Sequence, residues 1–182
     1  YLVDSFGNLI GGNLPGSRNV ISANHAGVAI EGEQSTGNKV QGNYIGTNAS
    51  GTAGLGNGPG GGVNISYGAG KNFIGTDGNE IGDADEGNVI SDHTSGYTYG
   101  VSISGTGHDN VVAGNLIGTD ASGTVPMRNV IGIGIAAAGV LSPMCRDIFR
   151  IRKSQTSTGE KMRLHRHQEE AFERLGGRRK RS

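Results

Sequence analysis

The sequence predicts an all-β fold in which short parallel strands stack as the coils of a solenoid, followed by a short C-terminal helical tail. Three observations carry this expectation. The fifteen residues from Asn38 to Thr52 return 72 residues later, at Asn110 to Thr124, with eleven positions identical. An echo of that length marks a stacked repeat architecture. Two short phrases, Asn-x-(Ile/Val) and Gly-(Val/Ile)-x-Ile, alternate along the chain with apolar residues two apart, which is strand spacing. Each phrase is closed within a few residues by Gly, Asn, Asp or Ser, and no stretch before Gly139 offers a helical apolar period.

In chain order, the asparagine phrase opens at Asn8, Asn19, Asn38, Asn43, Asn72, Asn79, Asn88, Asn110, Asn115 and Asn129. The glycine phrase occupies Gly27–Ile30, Gly62–Ile65, Gly100–Ile103 and Gly132–Ile135. Asn19–Ser22 aligns with Asn88–Ser91, Gly27–Ile30 with Gly100–Ile103, and Gly62–Ile65 with Gly132–Ile135. These offsets of 69 to 73 residues define one long unit. Coils of roughly 20–25 residues would divide it into about three turns. A hairpin-built sandwich fits less well, because the strands are short and Asp77-Gly78 is the one clear two-residue hairpin signal.

Solenoid strands need to send only one or two side chains inward. The expected interior is Ile10, Ile21, Val28, Ile30, Val40, Ile45, Val63, Ile65, Ile74, Ile90, Val101, Ile103, Val112 and Ile117. Tyr44 and Leu116, each one residue before an inward isoleucine, should face out. Asn43 shares a face with Ile45, and a buried amide needs partners. The asparagine of the next coil supplies one in a stacked amide ladder. Gly42, Gly87 and Gly114 precede such asparagines and should free the corner for an unusual φ.

The net charge of zero hides a division. Residues 1–140 carry 4 Lys/Arg against 11 Asp/Glu, whereas residues 141–182 carry 12 against 5. Of the 35 glycines, 32 precede residue 141. The chain therefore reads as parallel repeats over residues 1–139 and a basic tail over residues 140–182 that is foreign to them. Cys145 is the only cysteine, which excludes a disulfide framework within the chain. No apolar run is long enough for a membrane span. Tyr1 lies already inside the repeat grammar, as expected of a chain truncated at its N-terminus.

One loop stands out chemically. Asp77, Glu80, Asp83, Asp85 and Glu86 place five carboxylates in ten residues, oxygen ligands of the kind Ca²⁺ accepts. The run matches neither an EF-hand loop nor a calcium β-roll repeat, so a solvated loop is the alternative. His25 and His93 each follow an Asn-Val-Ile-Ser phrase and read as exposed loop histidines. Arg18 and Arg128 precede Asn-Val-Ile phrases and read as repeat decoration. No catalytic, cofactor-binding or metal-binding residue is assigned.

The phrases Gly-Asn-x-Ile-Gly-Thr-Asp-Ala-Ser-Gly-Thr, Gly-Asn-Val-Ile-Ser and Gly-Val-x-Ile resemble the right-handed parallel β-helix repeats of large secreted or cell-surface bacterial proteins. The resemblance covers about Gly7 to Ile135. It implies a right-handed helix, an extracellular or cell-surface location and a structural or adhesive role, with polysaccharide as the partner. It is nearly silent on activity, because this fold also carries polysaccharide-cleaving enzymes. Their hydrolases cluster aspartates with histidine and their lyases pair calcium carboxylates with a basic residue. Gly107-His108-Asp109 lacks the Gly-His-Gly form of the former. The alternative expectation is a carbohydrate-active protein whose catalytic coils lie upstream.

In the tail, Ser157-Thr158-Gly159-Glu160 has the form of a capping box and Gly176-Gly177 that of a stop. Leu164, Gln168, Ala171, Phe172 and Leu175 fall on one face of the helix between them. Arg163 to Leu175 resembles the helix that precedes the phosphate loop of DEAD/DEAH-type helicases, but the Gly-Lys loop is missing. Nucleic acid is expected only through the basic end, Arg178 to Arg181. The link from Val140 to Ser157 shows no strand phrase.

Overall fold

The structure, a computed structural model, describes residues 1–137 and 148–150. The first passage of the chain holds β1 (Leu2–Val3), β2 (Leu9–Gly11) and β3 (Val20–Ile21). The second holds β4 (Val28–Glu31), β5 (Lys39–Gln41) and β6 (Tyr44–Ile45). Next come β7 (Val63–Ser66), β8 (Phe73–Gly75) and β9 (Val89–Ile90). The fourth passage holds β10 (Tyr99–Gly105), β11 (Val111–Ala113) and β12 (Leu116–Ile117). The last holds β13 (Ile131–Ala137) and β14 (Ile148–Arg150).

Every third strand returns to the same sheet. Sheet A runs β1-β4-β7-β10-β13, sheet B runs β2-β5-β8-β11-β14 and sheet C runs β3-β6-β9-β12. All the strand pairings are parallel. No helix occurs among the described residues. The architecture is thus all-strand, in stacked parallel sheets, and fits a solenoid-like fold.

In-register pairing makes like residues stack. Ile30 sits opposite Ile65, which sits opposite Ile103, which meets Ile135. Val28, Val63, Val101 and Ile133 form a second column, and Ile10, Val40, Ile74 and Val112 a third. Ile21, Ile45, Ile90 and Ile117 form a fourth. These columns are the core, with Ile10, Ile21, Ile117, Ile133 and Ile135 only partly buried. Each strand delivers alternate side chains inward, so neighbouring coils can reuse one short apolar phrase.

The amides form ladders where the chain turns between sheets. The Asn8 Nδ2 donates to Asn38 Oδ1 at 2.8 Å, Asn38 to Asn72 at 3.0 Å and Asn72 to Asn110 at 3.1 Å. A second ladder links Asn19, Asn43, Asn88 and Asn115 at 3.0, 3.1 and 2.8 Å. In both, the backbone N–H of the donating residue reaches the same carbonyl oxygen. Asn79 stands outside the ladders, in an exposed turn where its side chain serves Asp77 and Ile81.

Three expectations need correction. Asn38 and Asn72 are 34 residues apart and Asn72 and Asn110 are 38 apart, each one coil, so the 72-residue unit spans two coils and not three. Long loops lengthen each coil beyond what the strand phrases suggest. Gly42 and Gly114 have positive φ, 69° and 70°, but Gly87 does not. A side chain at Gly87 would instead strike the Gly114 carbonyl. Finally, β14 lies within the link expected to hold no strand, and it extends sheet B beyond residue 139. The expected helix of 157–175 and the basic end lie outside the described residues.

The echoed fifteen residues also contain a loop. Thr47 bridges Gly54, and Thr119 bridges Pro126, each closing a turn capped from within by Asn48 or Asp120. The Ala121 N–H donates to the Gly51 carbonyl at 2.9 Å, so the two loops stack. Gly51 lies against the Tyr44 ring, and Arg18 covers that ring with its guanidinium 4.1 Å from the centroid. Tyr44 faces out, as expected, but into a covered site where it is only partly exposed.

Candidate functional site

Of the five carboxylates in the acidic loop, the fold gathers three. Oxygens of Asp77, Asp83 and Glu86 lie within 4.8 Å of one another. Glu80 and Asp85 stay exposed. Lys39 projects from β5 to Asp77, with Nζ 2.5 Å from Oδ2. That hydrogen bond is the main cause holding the Asp77 carboxyl below its ordinary range. Glu86 is 3% exposed and accepts the Asp77 N–H at 3.1 Å. Asp83 Oδ1 is buried and has no donor among the described residues. The cluster has hard oxygen ligands, although Ca²⁺ takes six to eight and three carboxylates alone do not complete its shell.

His93 departs from expectation. It is fully buried, whereas His25 is exposed. It occupies an asparagine position in a third ladder at the turn leading to sheet A. Asn24 N–H donates to Asn57 Oδ1 at 3.0 Å, Asn57 N–H to His93 Nδ1 at 3.2 Å, and His93 N–H to Asn129 Oδ1 at 3.0 Å. The signal was present in the sequence. Aligning Asn19–Ser22 with Asn88–Ser91 places His93 opposite Asn24, not opposite His25.

Because Nδ1 accepts, the neutral ring carries its proton on Nε2, which is buried without a partner among the described residues. Burial holds the His93 pKa below its ordinary 6.5, against the opposing pull of Asp92 and the nearby backbone. The unfolded chain therefore binds a proton more readily than the folded one. The associated stability is fully present above about pH 6.5 and is lost as the pH falls below it. Urea midpoints at pH 7.5 and 5.5 should fall with acidification, and His93→Asn should flatten that fall. An equal fall in both proteins would contradict this role for His93.

The outer face of sheet A carries a groove of about 500 Å³. Glu31, Asn64, Ser66, Tyr67, Ser104 and Thr106 line it. They come from the outward positions and strand ends of three successive coils. Ser66 is 6% exposed, and its Oγ has no hydrogen-bond partner among the described residues. Tyr67 is 73% exposed. It also occupies a corner with positive φ in four successive coils: 44° at Asp4, 94° at Gly32, 53° at Tyr67 and 85° at Gly105. Glycine holds that corner on both sides of it. A bulky side chain there costs about 1–2 kcal/mol.

Sequence reasoning missed this groove because its residues are 31 to 106 and meet only once the register is known. Arg18 serves the fold: its Nε donates to the Gly42 carbonyl at 3.1 Å while it covers Tyr44. His108 and Asp109 form an exposed pair at 2.9 Å. Such a pair contributes little to stability. No helix of the described residues is long and apolar enough to cross a membrane. Comparison with protein-family models, curated proteins and solved structures finds no match.

Proposed function

We propose that the chain is a segment of a right-handed parallel β-helix with a structural and adhesive role in a secreted or cell-surface bacterial protein, without catalysis of its own. The asparagine ladders carry this reading. They spend the most repeated polar residue of residues 1–139 on joining coil to coil, with Asn38, Asn43, Asn72 and Asn110 wholly buried. Buried amides of this kind are closed to a ligand, and their work is to hold a long, regular stack. Such a stack presents equivalent outward positions at fixed intervals, which suits a spacer or a display surface. Right-handedness follows from the strong preference of parallel crossovers for that hand.

Antibodies against the folded chain should label intact cells of the producing bacterium, or detect the protein in the medium. Labelling that requires cell lysis would contradict the surface reading.

A further inference from the structure

We propose that the groove on the outer face of sheet A binds a neutral glycan, through the Tyr67 ring, the Glu31 carboxylate, the Asn64 amide and the Ser66 hydroxyl. The inference rests on the adhesive reading above and names its ligand class. Three observations converge on the groove. Among the described residues its lining is hydroxyl, amide and carboxylate, with one aromatic ring and no lysine, arginine or histidine. Ser66 is nine-tenths buried in its wall, with a hydroxyl that no group among the described residues satisfies. Tyr67 exposes most of its ring at a corner where the adjoining coils place glycine.

The chemistry selects the occupant. A polyanion, such as a uronate chain, would meet the Glu31 carboxylate with no cation among the described lining residues to offset it. A lipid chain or an apolar helix would meet a floor of polar groups left unpaired. A neutral pyranose has hydroxyls that can donate to a carboxylate and exchange hydrogen bonds with an amide and a serine. It also has a C–H face that packs on an aromatic ring. The volume is that of a small-ligand site, and the groove lies open at the surface so that a chain can continue beyond it.

The Tyr67 corner gives a readout that a structural role would not produce. Asparagine tolerates positive φ better than tyrosine does, so Tyr67→Asn should leave the thermal midpoint unchanged or raise it. Binding should move the other way. The full chain is titrated calorimetrically with cellohexaose, mannohexaose, xylohexaose, maltohexaose and hexagalacturonate.

At least one neutral hexasaccharide is expected to bind, and the galacturonate is not. Tyr67→Asn and Glu31→Gln should each weaken binding tenfold or more without lowering the thermal midpoint. Tyr97→Asn, which removes another exposed tyrosine outside the groove, should leave the affinity unchanged. Binding of none of the neutral probes, preference for the galacturonate, or affinity indifferent to Tyr67→Asn would overturn the inference. Surface labelling is read separately, so a chain on the cell exterior that binds no neutral probe refutes the groove alone. A glycan-binding chain found only inside cells refutes the surface reading alone.

Discussion

Ile45→Asp is expected to cost more than about 4 kcal/mol and to unfold the coils that adjoin it. Ile45 is 0% exposed and stands mid-column between Ile21 and Ile90. Aspartate there would lose the buried apolar surface and bring a carboxylate, charged or neutral, among groups that offer it no donor. The damage should spread, because each coil is templated by the one beneath it. Val20→Asp supplies the contrast. Val20 faces outward on β3 and is exposed, so its replacement should stay within about 0.5 kcal/mol. Ile117 is less buried than Ile45, so Ile117→Asp should cost less than Ile45→Asp. Tyr44→Asp should cost more than a free surface change, because it removes the ring under Arg18. Urea melts read all four. Equal losses at Val20 and Ile45 would show that the assignment of inward and outward positions is wrong.

Asn43→Ala is the second large effect, expected at about 3 kcal/mol or more. The Asn43 carbonyl oxygen accepts from the Asn19 N–H at 3.1 Å and from its Nδ2 at 3.0 Å. Its own Nδ2 serves the carbonyls of Ile10 and Gln41 at 2.8 and 2.9 Å. Removing the amide strands several groups at once, at about 1–3 kcal/mol for each one left buried. Asn8 begins its ladder and is partly exposed, so water can replace what Asn8→Ala removes. That change should cost about 1 kcal/mol. Hydrogen exchange should place the added opening of Asn43→Ala in the first two coils. A loss below about 0.5 kcal/mol would mean that the amides are ornament and not part of the frame.

The sheets and the core were legible because a coil reuses its phrases. Strand spacing in Gly62–Ile65 and Gly100–Ile103 identifies inward positions, and repetition says that they stack. All fourteen expected interior residues lie in or against the core cluster. Coil length was not legible. Strand phrases do not count the residues in the Thr47–Gly54 loop or the acidic loop, so three turns were inferred where two exist. His93 was misread by adjacency to a phrase when position within the aligned phrase was the better guide. Val89 is outward on β9, opposite Tyr44 and Leu116, yet it is buried. Period-two patterning separates inward from outward but cannot report what later covers the outside. The sheet A groove was beyond reach for a related reason, since Glu31, Ser66 and Ser104 become neighbours only through the register.

The register itself is the central claim, and an intrachain disulfide tests it most directly. In a Cys145→Ser background, Asn64→Cys/Ser102→Cys places thiols on residues paired between β7 and β10. Neighbouring strands lie about 4.7–4.9 Å apart, within the span that a disulfide bridges. Asn64→Cys/Ser104→Cys shifts one thiol by two residues on the same face, to a diagonal separation of about 7–8 Å. The first pair should oxidise readily to an intrachain disulfide with the fold retained, and the second should stay reduced under the same conditions. Preferential oxidation of the second pair, or of neither, would contradict the stacked two-coil register.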